Sequence, residues 1–168
     1  MNEIKVLHVT AHLGGGIGRV LSRAVEEFSR SRLGVRHSIA LLERPEKSLF
    51  VERAKSFCDE LLVSPSDEVL NEKIMQADIV HLHWWHHPAV ARWMNSACLP
   101  PMRLIIWSHI SGLYVPHLTP GFVSLPARFL FTSPCSWENP DFSELDESAR
   151  KKMDVVFSSG GFDDLPLP

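Results

Sequence analysis

The chain is poor in cysteine, in net charge and in long apolar runs. Its 168 residues hold three cysteines, Cys58, Cys98 and Cys135, far apart and odd in number. No CxxC pair occurs, which argues against a zinc ribbon or a disulfide scaffold and fits a reducing compartment. The net charge of −3 comes from both signs spread along the sequence. A basic surface for bulk nucleic-acid binding is therefore not expected. No apolar run approaches the roughly 20 residues needed to span a bilayer. The N-terminus enters a strand without a basic segment and apolar stretch, so no signal peptide is expected. These absences describe a soluble, cytoplasmic chain, long enough for one domain with a full core and short for two. Catalytic signatures are also missing. There is no G-x-S-x-G elbow for a nucleophilic serine and no HExxH for a metal.

What is present begins at the N-terminus. Lys5–Thr10 is β-branched and apolar, as in a buried parallel strand. Gly14, Gly15, Gly16 and Gly18 follow. From Ile17 the period changes, with Ile17, Val20, Leu21, Ala24, Val25 and Phe28 at helical spacing. Strand, glycine turn and helix aim free N–H groups and a helix dipole at an anion, usually a phosphate. The helix is expected to run from Ile17 to about Leu33, with Gly34 in a left-handed C-terminal position. Arg19, Arg23, Glu26, Glu27 and Arg30 form its expected outer face, with Arg23/Glu27 and Glu26/Arg30 four apart. Arg32 and Arg36 extend this basic character, which could meet an anionic membrane surface, although a plain solvated face is the commoner account.

Further strands are expected at Val35–Leu42, Glu60–Val63, Ile79–His83, Arg103–Ser108, Arg128–Ser133 and Asp154–Ser158. Helices are expected at Lys47–Phe57, from Ser66 to about Gln76 with Asp78 closing it, and from Pro88 to about Ala97. Val115–Pro126 reads as a long loop with a short helix. Ser136 reads as a cap for the stretch after it, with Asn139-Pro140 as a break. Residues 1–163 form one domain in this reading, and 164–168 begin a linker. The alternation predicts an open α/β, Rossmann-like, doubly wound and mostly parallel sheet. Ligands of such sheets sit outside the carboxyl ends of the strands. His12, Gly14–Gly18, His83–His87, Ser108-His109 and Ser133 all fall there.

Several chemistries fit parts of this pattern. The dinucleotide fingerprint G-x-G-x-x-G is incomplete, since Arg19 or Leu21 stands where the last glycine belongs. Glu43 could still imitate the acidic residue that grips a ribose, so an NAD-binding domain remains a lesser alternative. His81, His83, His86 and His87 are dense enough to invite a metal, but no carboxylate or cysteine joins them at a recognised spacing, and none is expected. Trp84, Trp85 and Trp93 read as packing or as a stacking wall for a sugar or base. Cys135, with His109 as base, could be imagined as a nucleophile, but an inert buried thiol is the commoner case.

In order, these segments resemble the N-terminal domain of GT-B glycosyltransferases, especially the retaining family 4 group. The matching pieces are Lys5-Val6-Leu7-His8-Val9 with Leu13-Gly14-Gly15-Gly16; Ala77-Asp78-Ile79-Val80-His81-Leu82-His83; Ile105-Ile106-Trp107-Ser108-His109; and Phe131-Thr132-Ser133. Val155-Val156-Phe157 with Gly160-Gly161-Phe162-Asp163 looks like the family's strand and N-G-x-D turn, although Gly160 stands in place of the asparagine.

The resemblance covers nearly the whole chain and implies a retaining transfer of sugar from a nucleotide-sugar donor to a saccharide or lipid-linked acceptor, with no cofactor. It implies that Gly14, Gly15 and Gly16 lie against the donor diphosphate and that His109 is the catalytic histidine. His83, Trp85, Ser111, Tyr114 and Ser133 would belong to the acceptor side. The helix carrying Arg19, Arg23 and Arg30 could rest on an anionic bilayer. In this family a C-terminal domain binds the nucleotide and carries an E-x7-E pair. Glu52 and Glu60 have that spacing but lie within the first domain, so the resemblance implies that the nucleotide domain lies outside this sequence and that the chain alone is inactive. The alternative is a stand-alone nucleotide- or phosphate-binding module without catalysis.

Overall fold

A computed structural model describes residues 3–31 and 33–158. Seven parallel strands form one sheet: β1 Ile4–Thr10, β2 Val35–Leu41, β3 Glu60–Val63, β4 Ile79–Trp84, β5 Leu104–Ser108, β6 Arg128–Phe131 and β7 Met153–Val155. Their spatial order is β3-β2-β1-β4-β5-β6-β7. The strand order reverses between β1 and β4, which creates the crevice where doubly wound sheets hold ligands. The helices are α1 Gly15–Ser31, α2 Leu49–Lys55, α3 Asp67–Gln76, α4 Pro88–Met94, α5 Pro120–Ser124 and α6 Glu147–Arg150, with two 3-10 turns at Pro134–Glu138 and Pro140–Glu144. The expected α/β, Rossmann-like sheet is present, and every pairing in it is parallel.

Side chains alternate across each strand, so the two faces acquire different characters. Leu7 and Val9 of β1 join Val80, Leu82 and Trp84 of β4, Ile106 of β5, and Phe129 and Phe131 of β6 in the larger core. Leu70 and Ile74 of α3 and Val90 and Trp93 of α4 pack into the same core. The smaller core, on the opposite face, joins Leu21 and Val25 of α1 to Ile39 and Leu41 of β2 and to Val51 and Ala54 of α2. Burying each such Leu, Ile or Val side chain contributes about 1.5–3 kcal/mol. On this second face the buried side chains of β1 and β4 are polar: His8, Thr10 and His83.

Several local expectations change. α1 ends at Ser31, but Gly34 does hold a left-handed φ of 68°. Glu26 is buried rather than on the outer face, because it draws in three arginines: Arg23 at 3.2 Å, Arg30 at 2.6 Å and Arg53 at 3.0 Å. Phe28 lies outside the apolar face and rests on the His37 ring, 5.1 Å between centroids. Ser66 caps α3 through the Val69 N–H, whereas Asp78 serves β1 by accepting the Lys5 N–H at 2.8 Å. Ser133 and Asn139, not Ser136, cap the two 3-10 turns. The last strand is Met153–Val155, paired with β6, instead of Asp154–Ser158. The Gly160-Gly161-Phe162-Asp163 turn and the tail lie outside the described residues. Among the described residues, no helix is long and apolar enough to cross a membrane.

Candidate functional site: a glycine-floored cleft with a histidine band

A cleft of about 1160 Å³ opens at the carboxyl ends of the strands, where the strand order reverses. Its floor is the β1–α1 turn, Leu13 to Ile17. Gly15 takes a φ of 56°, a conformation that side-chain-bearing residues rarely adopt. The first α1 bond runs from Gly18 N–H to Gly14 O at 3.2 Å. The N–H groups just before it have no acceptor within the helix and carry the positive end of its dipole. A Cβ added at Gly15 or Gly16 would meet nothing within 4 Å, so the turn leaves the cleft clear above it. Gly18 differs, because a Cβ there would lie 2.7 Å from Leu13 O and 2.7 Å from Phe50 Cδ2.

Around this floor stand Arg19 from α1; Glu43, Arg44, Glu46 and Lys47 from the segment after β2; and Phe50 from α2. The β4–α4 loop supplies Trp85 and His87, and His109 follows β5. The rings of His12 and Trp85 lie 5.1 Å apart, and His87 stands edge-on to His12 at 5.4 Å. Glu43 faces Arg92 at 3.4 Å and His87 at 3.7 Å. The backbone N–H of His109 donates to Trp84 O at 2.8 Å, and its ring lies 4.7 Å from that of Trp107 between centroids. Burial pulls the His109 pKa down to about 4, so its ring is neutral at pH 7.

Behind His109 runs a band of imidazoles on the α1 face of the sheet. The register places His8 of β1 beside His81 of β4, and His37 of β2 beside Val6 of β1. His37 Nδ1 lies 2.8 Å from His8 Nε2, and His8 Nδ1 lies 3.1 Å from His83 Nε2. His83 Nδ1 in turn lies 3.1 Å from His109 Nε2. His81 stacks on His83 with centroids 4.6 Å apart. Burial holds His8 and His83 well below the ordinary imidazole range, and neighbouring imidazoles add to the effect. Burial also lowers His81 to about 4, helped by His109 and His37. His37 is lowered by burial against the opposing pull of Asp59.

One ring nitrogen from each of His8, His81 and His83 can be chosen so that all lie within 4.8 Å of one another, the spacing of a possible three-histidine metal group. Both nitrogens of His8 and of His83 are already committed to other histidines, so an ion would have to displace some of those bonds.

The residues expected to form a site therefore separate. Gly14, Gly15, Gly16, Trp85 and His109 line one cleft. His83 is buried behind it as a link between His8 and His109. Ser111 accepts the Leu113 N–H, Ser133 caps a 3-10 turn, and Tyr114 is 81 % exposed; none of the three lines the cleft. Trp84 and Trp93 are core residues, so only Trp85 of the three candidate tryptophans can serve as a ligand wall. His37 and the basic residues Arg44 and Lys47 gain their roles only from the folded arrangement. The isolated strand histidines His8 and His37 were the available sign of a polar band. No protein-family profile matches the chain, and no curated protein or solved structure matches it significantly.

Proposed function

We propose that this chain is the acceptor-side domain of a retaining glycosyltransferase and that its cleft receives the diphosphate and sugar of a nucleotide-sugar. The observation that carries this reading is the glycine floor. Gly14 leads into the 17-residue helix α1, which Gly15 and Gly16 open at the base of the cleft that His109 also lines, and a Cβ at either Gly15 or Gly16 would meet nothing within 4 Å. Backbone N–H groups at a helix start share the charge of phosphate oxygens. Arg19, Arg44 and Lys47 supply positive charge around them. Trp85 and His12 offer an aromatic edge for a sugar face. The neutral His109 ring suits a hydrogen bond with a sugar hydroxyl. A second α/β domain, in this reading, closes the cleft and holds the nucleotide, and the acceptor is a saccharide or lipid-linked saccharide.

The test compares sugar transfer from a panel of UDP- and GDP-sugars by the full-length gene product and by its Gly16→Leu variant. Leucine at position 16 projects into the cleft from a helical position, so the fold should persist while the diphosphate is shut out. Transfer by the parent and a loss of about a hundredfold or more in the variant are expected. If the parent binds nucleotides yet transfers nothing, the chain is a binding module instead. If it neither binds nor transfers, the reading is wrong.

A further inference from the structure

Four histidines make a continuous hydrogen-bonded chain from β2 across β1 and β4 to His109, the cleft residue that follows β5. At pH 7 burial keeps their rings neutral, and a neutral imidazole has one N–H donor and one bare acceptor nitrogen. His8 and His83 each use both nitrogens within the chain, so each must donate on one side and accept on the other. The chain can then exist in two senses only. In the first, His37, His8 and His83 donate through Nδ1 and the cleft-side His109 carries its proton on Nδ1. In the second, His109, His83 and His8 donate through Nε2, and His109 Nδ1 is a bare lone pair.

We propose that His37, His8, His83 and His109 form a proton relay between the cleft and the opposite end of the sheet. Starting from the second sense, a proton taken up at His109 Nδ1 releases the Nε2 proton of His109 to His83 Nδ1. The Nε2 proton of His83 passes to His8 Nδ1, and that of His8 passes to His37 Nδ1. The Nε2 proton of His37 passes to a water molecule drawn from the hollow that His37 borders, one proton having entered and one having left. No ring holds a net charge before or after the transfer, so the desolvation that forbids a buried imidazolium does not forbid a concerted shift.

The far terminus is suited to this role. His37 Nε2 is buried with no hydrogen-bond partner among the described residues, and His37 borders a surface hollow shared with Asp59, Arg36 and Glu3, from which a water molecule must reach that nitrogen. Asp59 is held by Arg36 at 2.8 Å and favours positive charge on His37. His81 stacks beside the chain without joining it through a hydrogen bond. The relay touches the glycosyltransferase reading only at His109, where it would drain or return the proton of a reacting hydroxyl. The chain itself does not depend on the ligand's identity.

The test is nitrogen-15 NMR of the histidine-labelled 168-residue chain at pH 7, with no ligand added. Long-range proton–nitrogen correlations identify the protonated nitrogen of each ring, and relaxation dispersion measures interconversion between tautomers. The relay predicts one sense shared by all four rings at any moment and one common exchange rate. It predicts further that His37→Phe abolishes this exchange at His109, three hydrogen bonds away. A ring of opposite sense, a uniform but static chain, or unequal exchange rates would each overturn the proposal. The wild-type spectrum decides the matter even if His37→Phe does not fold. Because no sugar transfer is read, failure of the relay and failure of the glycosyltransferase reading stay distinguishable.

Discussion

Arg53 of α2 donates to the buried carboxylate of Glu26 on α1, 3.0 Å away, and fastens together two helices that border the cleft. Desolvation pushes the Glu26 pKa up, but the Arg53 hydrogen bond and the charges of Arg30, Arg53 and Arg23 outweigh it and leave it below the ordinary value. Removing the carboxylate charge leaves several guanidinium groups crowded around a neutral side chain. Glu26→Gln should lower the unfolding free energy by about 2–4 kcal/mol, near the cost of breaking a buried ion pair. Urea unfolding measures this, and an unchanged midpoint would contradict the clamp.

Two glycines two positions apart at the start of α1 should respond in opposite directions to alanine. An alanine at position 16 meets open space and gains helix propensity, so Gly16→Ala should stabilise by about 0.3–1 kcal/mol. The sixteenth and eighteenth positions share a helix, but at 18 the new Cβ would press on Leu13 O, a backbone atom, at 2.7 Å. Gly18→Ala should therefore destabilise by about 1–3 kcal/mol, as overpacking does. Equal shifts in melting temperature for both variants would refute the close approach.

Asn139 is buried and ties the junction of the two 3-10 turns to the loop between β5 and α5. Its Nδ2 donates to Leu118 O at 3.2 Å and to Gly112 O at 3.4 Å, and its Oδ1 accepts the Asp141 N–H at 3.0 Å. Replacement by leucine strands those backbone groups, at a cost of about 1–3 kcal/mol for each left unpaired. Asn139→Leu is expected to lower stability by about 2–4 kcal/mol, read by thermal or urea unfolding, while Asn139→Asp should recover part of the loss at the Asp141 N–H.

Acid should weaken the fold before the carboxylates titrate. His81 and His109 have folded pKa values of about 4, below the unfolded imidazole value near 6.5. Between these values the unfolded chain binds more protons, so stability rises with pH and is lost as pH falls from 6.5 through 4. The full loss is about 3 kcal/mol for each ring taken alone. The Glu26 contribution is present above the ordinary carboxylate value and is lost below it, so pH 5–6.5 isolates the imidazoles. Urea midpoints across that window should fall steadily with acid, and His109→Phe should flatten the slope; a flat wild-type profile would sink the assignment.

Much of the architecture was legible in the order of residues. The apolar strands, the glycine turn before Ile17, Gly34 after the first helix, Ser66 before α3 and Pro88 at the start of α4 are local signals. Each acts through backbone conformation or hydrogen bonds within a few residues, so a linear reading can find them. The crevice at the carboxyl ends followed from the alternation of strands and helices, and with it the grouping of Gly14–Gly16, Trp85 and His109.

What tertiary structure alone decided depends on register and on packing between distant segments. Glu26 lies inward because Arg53, 27 residues away, comes to meet it. Ser111, Tyr114 and Ser133 fall outside the cleft because loop paths, which no local periodicity encodes, place them elsewhere. His8, His37, His83 and His109 are scattered between positions 8 and 109, and nothing in their spacing links them. They become one hydrogen-bonded chain because parallel pairing in the order β2-β1-β4-β5 puts their rings on one face within 2.8–3.1 Å.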